Sequence, residues 1–379
     1  MRIMLIIALM LAAHQAGAEQ ILVGLDNKAF FEAAGVRFGP PGTDEVMVVD
    51  ITDPAHPALG GRLVLNNSVL GPPTNLQITP DGKRGLIASS AVNAPKGDGW
   101  GMTPDDKLYV LDLTGAAPRV IETLTLGRMP SGLSINRAGT LALVANRAGK
   151  SISVVALDAT PRLLAEVPVE DEAAAVVITP DGKRAFFAKN LAHKVGVLRI
   201  DGTSVSYDKK WDMPVGYGVY NIDVTADGSQ VIASNTGIGG DGNVDTVSVI
   251  DARATPPRVV DHVTVGDGPE GFAITPDGRH AIAVLLRGTA ALQSAWSYTK
   301  TGAVTLLSQT DGHWRVTGQA EAGDLPEGVA FSADSQFAYV GNYKDRNIQV
   351  YRIEGDTITD TGVKLALPGQ PASLRETRR

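Results

Sequence analysis

The chain has 379 residues, 34 basic and 41 acidic side chains, a formal net charge of −7 at pH 7 and no cysteine. The missing thiols exclude disulfides, c-type haem attachment, cysteine-ligated iron–sulfur clusters and thiolate zinc sites. The acidic balance opposes non-specific binding to nucleic acid or anionic lipid.

At the N-terminus Arg2 precedes an apolar run over residues 3–13, and Ala16-Gly17-Ala18 supplies the small-x-small pattern of a signal-peptidase site. Residues 1–18 therefore read as a signal peptide cleaved near Ala18, and 19–379 as a periplasmic or secreted domain. The apolar run is too short to span a bilayer core of roughly 30 Å, and no later segment approaches that length, so no membrane insertion is expected.

After the signal the chain reads as short β-runs punctuated by turns. Residues 20–24, 45–50 and 62–65 are three such runs. A repeat then begins: Ile78-Thr79-Pro80-Asp81-Gly82, Ile135-Asn136-Arg137-Ala138-Gly139, Ile178-Thr179-Pro180-Asp181-Gly182, Val224-Thr225-Ala226-Asp227-Gly228, Ile274-Thr275-Pro276-Asp277-Gly278 and Phe331-Ser332-Ala333-Asp334-Ser335. Its spacing of 43 to 57 residues matches one four-stranded propeller blade per copy. Each turn has a local cause: Pro presets φ, Asp bonds nearby backbone, and Gly relaxes the last position before the next strand. The turn joins strands A and B. Strand B ends in Asn146, Asn190, Asn235 or Asn342, read as turn formers that tolerate left-handed backbone. An apolar, β-branched strand C, a polar turn and a strand D follow.

Leu143-Val144-Ala145-Asn146 with Ile152-Ser153-Val154-Val155, and Tyr339-Val340-Gly341-Asn342 with Ile348-Gln349-Val350-Tyr351, resemble the strand-Asn-strand pattern of the YVTN β-propeller proteins, which are grouped with the bacterial propeller lactonases. The resemblance covers nearly all of the chain after the signal. It implies an all-β propeller, a fold that hosts enzymes, carriers and surface proteins alike. Six repeats leave one blade to be completed by the two ends: Pro371-Ala372-Ser373-Leu374 reads as a strand A without a B, and 20–24 as a strand B without an A. The expected architecture is a seven-bladed β-propeller of four-stranded blades, its ring closed by N-terminal strands and the C-terminal strand in one blade.

One face of such a ring, here called the top, gathers the D-to-A connections, the B-to-C loops and the mouth of the axial channel. Long top loops are expected at 28–44, 91–106, 236–245 and 288–299, forming two neighbouring pairs that wall opposite sides of the mouth. Pro269-Glu270-Gly271 and Pro326-Glu327-Gly328 place two carboxylates at equivalent positions of adjacent blades beside the axis. Glu270 and Glu327 with Arg287 form a candidate catalytic set, because a carboxylate pair and a guanidinium can activate water and stabilise an oxyanion. The same residues also fit solvated rim charges. Candidate ligand-binding residues are Asn75, Trp100, Arg147, Lys189, Tyr220, Asn221 and Trp296. Asp241, Asn243 and Asp245 have the spacing that opens a calcium loop but lack its later Gly and Glu, so Ca2+ is a weak expectation and no other cofactor is evident. No pair of histidines has metal-ligand spacing, and the nucleophile elbow and P-loop are absent.

Three functions fit. The first is an exported propeller binding a small molecule or a periplasmic protein at the top face. The second is a lactone or ester hydrolase of the propeller-lactonase type, with Glu270 or Glu327 as base. The third is a non-catalytic subunit of a quinone- or copper-linked periplasmic redox system, whose redox ligands a partner would supply.

Overall fold

The computed structural model describes residues 19–67 and 71–377; the expected signal peptide lies outside them. Seven antiparallel sheets of the expected A-B-C-D order make up the ring. The closing blade joins Gln370–Glu376, Gln20–Asp26, Glu45–Asp50 and Ala58–Val64 in that order, so the two chain ends seal the ring. Leu22 lies opposite Arg375 and Val23 opposite Leu374 along this seam. Among the described residues the one helical segment is the 3-10 turn Lys209–Trp211, which splits strand D of blade 3 into Ser204–Tyr207 and Met213–Pro214.

Burial follows strand position. In blade 2, Pro130–Ile135, Leu141–Asn146 and Ser151–Ala156 are buried throughout, whereas the outer strand Arg162–Pro168 alternates between exposed and half-buried. Inner strands are sandwiched between neighbouring blades on both faces, so their sequences read as continuous apolar runs. The core is correspondingly a set of inter-blade clusters, such as Phe186, Val197, Val231 and Ile250 between blades 3 and 4.

The repeat's turn works as its sequence implies. Thr179 Oγ1 donates to Asp181 Oδ1 at 2.7 Å and accepts from Arg184 N at 3.1 Å, while Asp181 Oδ1 also accepts from Lys183 N at 3.0 Å. Thr79, Thr225, Thr275 and Ser332 repeat the first contact in their own blades. Near the axis the inner strands come very close. A Cβ on Gly271 would sit 1.9 Å from the Glu327 carbonyl oxygen, so glycine at that position sets how tightly blades 5 and 6 meet. Edge N–H groups facing the channel are satisfied by the preceding blade: Gln77 Oε1 accepts from Ile135 N, Ser134 Oγ from Ile178 N and Asp223 Oδ2 from Ile274 N, at 2.9 to 3.0 Å.

Four sequence expectations are corrected. The recurring Asn side chains are not left-handed turn formers. Asn146 ends a strand and its Nδ2 donates to Ser151 and Ser153 Oγ, and Asn235 bonds Thr246 and Ser248 in the same way. The left-handed positions of these turns are Lys150, His193 and Arg346. In blade 3 the strand-ending position belongs to Lys189, which pairs with Ala173 as Asn146 pairs with Pro130, so Asn190 is one residue out of register. Finally, 91–106 is not a loop: Arg84–Lys96 and Gly99–Asp112 run on as one long hairpin that turns at Gly97. The 28–44 segment likewise contains a hairpin, Ala29–Glu32 with Gly35–Phe38.

Candidate functional site

The residue four positions before the last of each inner strand lies at the top of the axis. By strand register these are Tyr220, Glu270 and Glu327 in blades 4 to 6, and the small Ala372, Thr74, Ser131 and Ala174 in the other four. Gly71 lies between Ser131, whose Oγ a Gly71 Cβ would meet at 2.0 Å, and the Tyr220 hydroxyl, which accepts the Gly71 N–H. The segment leading into blade 1 thus lies over the side of the axis with small residues.

Glu270 and Glu327 are therefore not solvated rim charges. Glu327 is 4% exposed and Glu270 half-buried. Burial pushes the Glu270 carboxyl up to about 7, against the pull of the Arg147 guanidinium. Burial, with the charges of Glu270 and Asp26, holds Glu327 well above the carboxylate range. The result is a pair of carboxyls in adjacent blades, both raised by burial, an arrangement suited to proton transfer. Tyr220 completes the group: burial and the two glutamates raise its pKa, and the Arg147 guanidinium lies 5.6 Å from its ring centre. Arg147 also faces Glu172 at 3.7 Å.

Thr74 Oγ1, Asn75 Oδ1, Ser131 Oγ and Arg147 Nε are among the buried polar atoms of several blades that find no partner among the described residues.

Beside the acid pair is a buried ion cluster that sequence reasoning missed. Lys28, wholly buried, donates to Asp26 at 2.9 Å and also to Asp44 and the Asn67 carbonyl. Burial pulls the lysine's pKa down, but the two aspartates outweigh it and the net direction is up. Tyr343 donates to the Ala29 carbonyl at 2.7 Å, and its ring meets Phe31 edge-on at 5.6 Å. The only sequence sign of the cluster was a lysine two residues after an aspartate.

The loops do not form two opposite walls. Trp296 lies over Gly242, tying the blade 4 and 5 loops together, and Asn93 Nδ2 donates to the Lys28 and Gly39 carbonyls, tying blades 1 and 7. The two pairs also meet, through Gln293 N donating to the Ala33 carbonyl at 3.3 Å. Blades 2, 3 and 6 carry only short top turns.

Other predicted site residues lie elsewhere. Arg287 is solvent-exposed with φ 51°, and the cation acting on Glu270 is Arg147 instead. Lys189 is buried and committed to Asp171 and Asp212 at 2.7 Å and to the Tyr207 hydroxyl at 3.0 Å. Asn221 donates to the Phe272 carbonyl of the next blade, a packing contact. Trp100 sits at a hairpin tip and Trp296 is 85% exposed. Asp241 accepts from Asn243 N, and Asp245 accepts from Gly268 N, so these carboxylates brace their loop. Among the described residues no group of three or more acids and histidines is placed to hold a metal.

No protein-family model matches the sequence, and no curated protein matches it. Solved structures do match in shape. A putative 6-phosphogluconolactonase from Bacteroides fragilis is 17% identical with a TM-score of 0.71, over 96% of this chain and 99% of that one. The periplasmic gluconolactonase PpgL of Pseudomonas aeruginosa is 18% identical with a TM-score of 0.68, over 95% and 99%. The chain shares its fold with bacterial propeller lactonases. Hydrazine synthase of Kuenenia stuttgartiensis matches as well, at 17% identity and a TM-score of 0.62 over 81% and 90%. Identities this low establish the shared propeller and nothing about chemistry.

Proposed function

We propose that the protein is exported and hydrolyses a small, uncharged lactone at the top face, with Glu270 as general base. The observation that carries this reading is the pair of carboxyls, Glu270 half-buried and Glu327 buried, at equivalent positions of adjacent blades with Arg147 acting on Glu270, whose carboxyl burial pushes up to about 7. Ionised Glu270 takes a proton from water, and the water oxygen adds to the lactone carbonyl carbon. Arg147 and the Tyr220 hydroxyl face the developing oxyanion. Collapse breaks the ring C–O bond, the Glu270 proton passes to the departing alkoxide, and a hydroxy acid is released. Two shape neighbours named as a putative 6-phosphogluconolactonase and a gluconolactonase support the substrate class, and PpgL's description as periplasmic supports export. A single arginine among Glu172, Glu270 and Glu327 is a poor seat for a phosphate, which favours the unphosphorylated lactone.

A second reading keeps the same ligand site without turnover. It is favoured by the burial of Glu327, 4% exposed, in the blade whose Leu325 and Tyr343 pack with Phe31, Leu286 and Ala372 in one apolar cluster. Assay of a lactone panel separates the two. Hydrolysis predicts turnover that rises through about pH 7 and falls at least 100-fold in Glu270→Gln, with melting temperature nearly unchanged. Binding without turnover predicts no activity in the wild type, but a thermal shift with the same lactones that Arg147→Ala removes.

A further inference from the structure

At the opposite end of the channel is a cavity of about 330 Å3, inside the roughly 300 to 1,000 Å3 range of small-molecule sites. Its walls come from the ends of the inner strands. Ile135, Ile178, Val224, Ile274 and Phe331, one from each of five blades, make an apolar collar, and the closing blade contributes Glu376 at the equivalent position.

The floor is polar and fixed in place. Arg375 is 5% exposed, and its Nη1 reaches from the closing blade past blade 1 to donate to the Leu133 carbonyl at 3.0 Å. Glu376 Oε2 accepts from Phe331 N at 3.3 Å, and Gln77 lies beside them. At the mouth Arg137 Nη2 donates to the Ala226 carbonyl at 2.9 Å, bridging blades 2 and 4. The charged lining side chains among the described residues are two arginines, Arg137 and Arg375, and two glutamates, Glu19 and Glu376. With the signs balanced, no net field selects an ion, while the collar rewards burial of carbon.

We propose that this bottom cavity is a second binding site, for a neutral, largely apolar small molecule with one hydrogen-bonding end. The apolar body lies within the collar and the polar end meets the Arg375–Glu376–Gln77 floor. The site is independent of the top-face chemistry. Turn position three, Pro in three blades, is the small and exposed Ala226 and Ala333 in blades 4 and 6, both of which line the mouth of the cavity.

The test uses N-phenyl-1-naphthylamine, a neutral two-ring probe with one N–H, and its anionic relative 1-anilinonaphthalene-8-sulfonate. The neutral probe should bind saturably at one per chain with a blue-shifted emission, and the sulfonate at least tenfold more weakly. Ala226→Trp with Ala333→Trp, at exposed turn positions, should weaken the neutral probe at least tenfold with the melting temperature retained. Either tryptophan alone serves if the pair impairs folding. Trp296→Ala, on the top loops, and Glu270→Gln should change nothing. Non-saturable uptake, binding that survives the blocked mouth, binding lost with Trp296→Ala, or a sulfonate that binds as well as the neutral probe would overturn the proposal.

Discussion

The two ends of the axial channel are made by the same seven inner strands, yet they differ in almost every physical respect. At the top the strands begin, the loops vary in length, and charges are buried: Lys28, Asp26, Asp44, Glu270 and Glu327 gather within the rim. At the bottom six strands end in one repeated turn, the collar is carbon, the buried Arg375 and Glu376 come from the one strand that ends without that turn, and a cavity stays open. The contrast shows how a repeat protein divides its work. Turns that must recur identically keep the fold, and the face free of that demand can accumulate costly charges.

The largest expected effect sharpens the top side of this contrast. Lys28→Met leaves Asp26 and Asp44 buried without their cation and should cost about 3 to 5 kcal/mol in denaturant unfolding. A cost below about 1 kcal/mol would mean that the cluster does not tie the closing blade to its hairpin. Next in size is Gly271→Ala, whose Cβ would meet the Glu327 carbonyl. Forcing blades 5 and 6 apart should cost about 1 to 3 kcal/mol, and should lower kcat more than it raises KM because Glu270 and Glu327 flank the contact.

The smallest effect is the most diagnostic, because the two ends respond to pH with opposite sign. Glu270 and Glu327 have raised folded-state pKa values, so their contribution is whole at low pH and is lost as pH rises from about 4.5, through about 7 for Glu270. Asp81, Asp181, Asp227 and Asp277 in the bottom turns have lowered values, so theirs is present above the ordinary aspartate range and lost as pH falls. Melting temperature should therefore peak in mildly acid solution. Glu327→Gln should lift the alkaline limb alone, and Asp181→Asn should flatten the acid limb alone. Either substitution moving both limbs would break the assignment of each limb to one end.

The ring, its blade number and its seam were legible because each rests on local chemistry: a Thr-Pro-Asp-Gly turn bonds its own neighbours, and period and burial leave marks in single strands. The Glu270 and Glu327 pair was legible too, as equivalent positions of one repeat. Its state was not, since a carboxyl pKa depends on burial and on neighbouring charges, and here those include Arg147 and Asp26, remote in sequence. Arg287 was preferred over Arg147 for the same reason: both follow a strand B, and only the assembled ring shows which guanidinium faces Glu270. Asn190 misled by a one-residue register, the strand-ending position of its blade being Lys189.

What the amino-acid order determined alone was the repeated strand and turn, and with it the toroid, because those interactions close within about 50 residues. How far each carboxyl is buried, which arginine serves it, and where a cavity remains were decided by the tertiary structure. Each depends on desolvation and on contacts between blades, and neither is written in any one repeat.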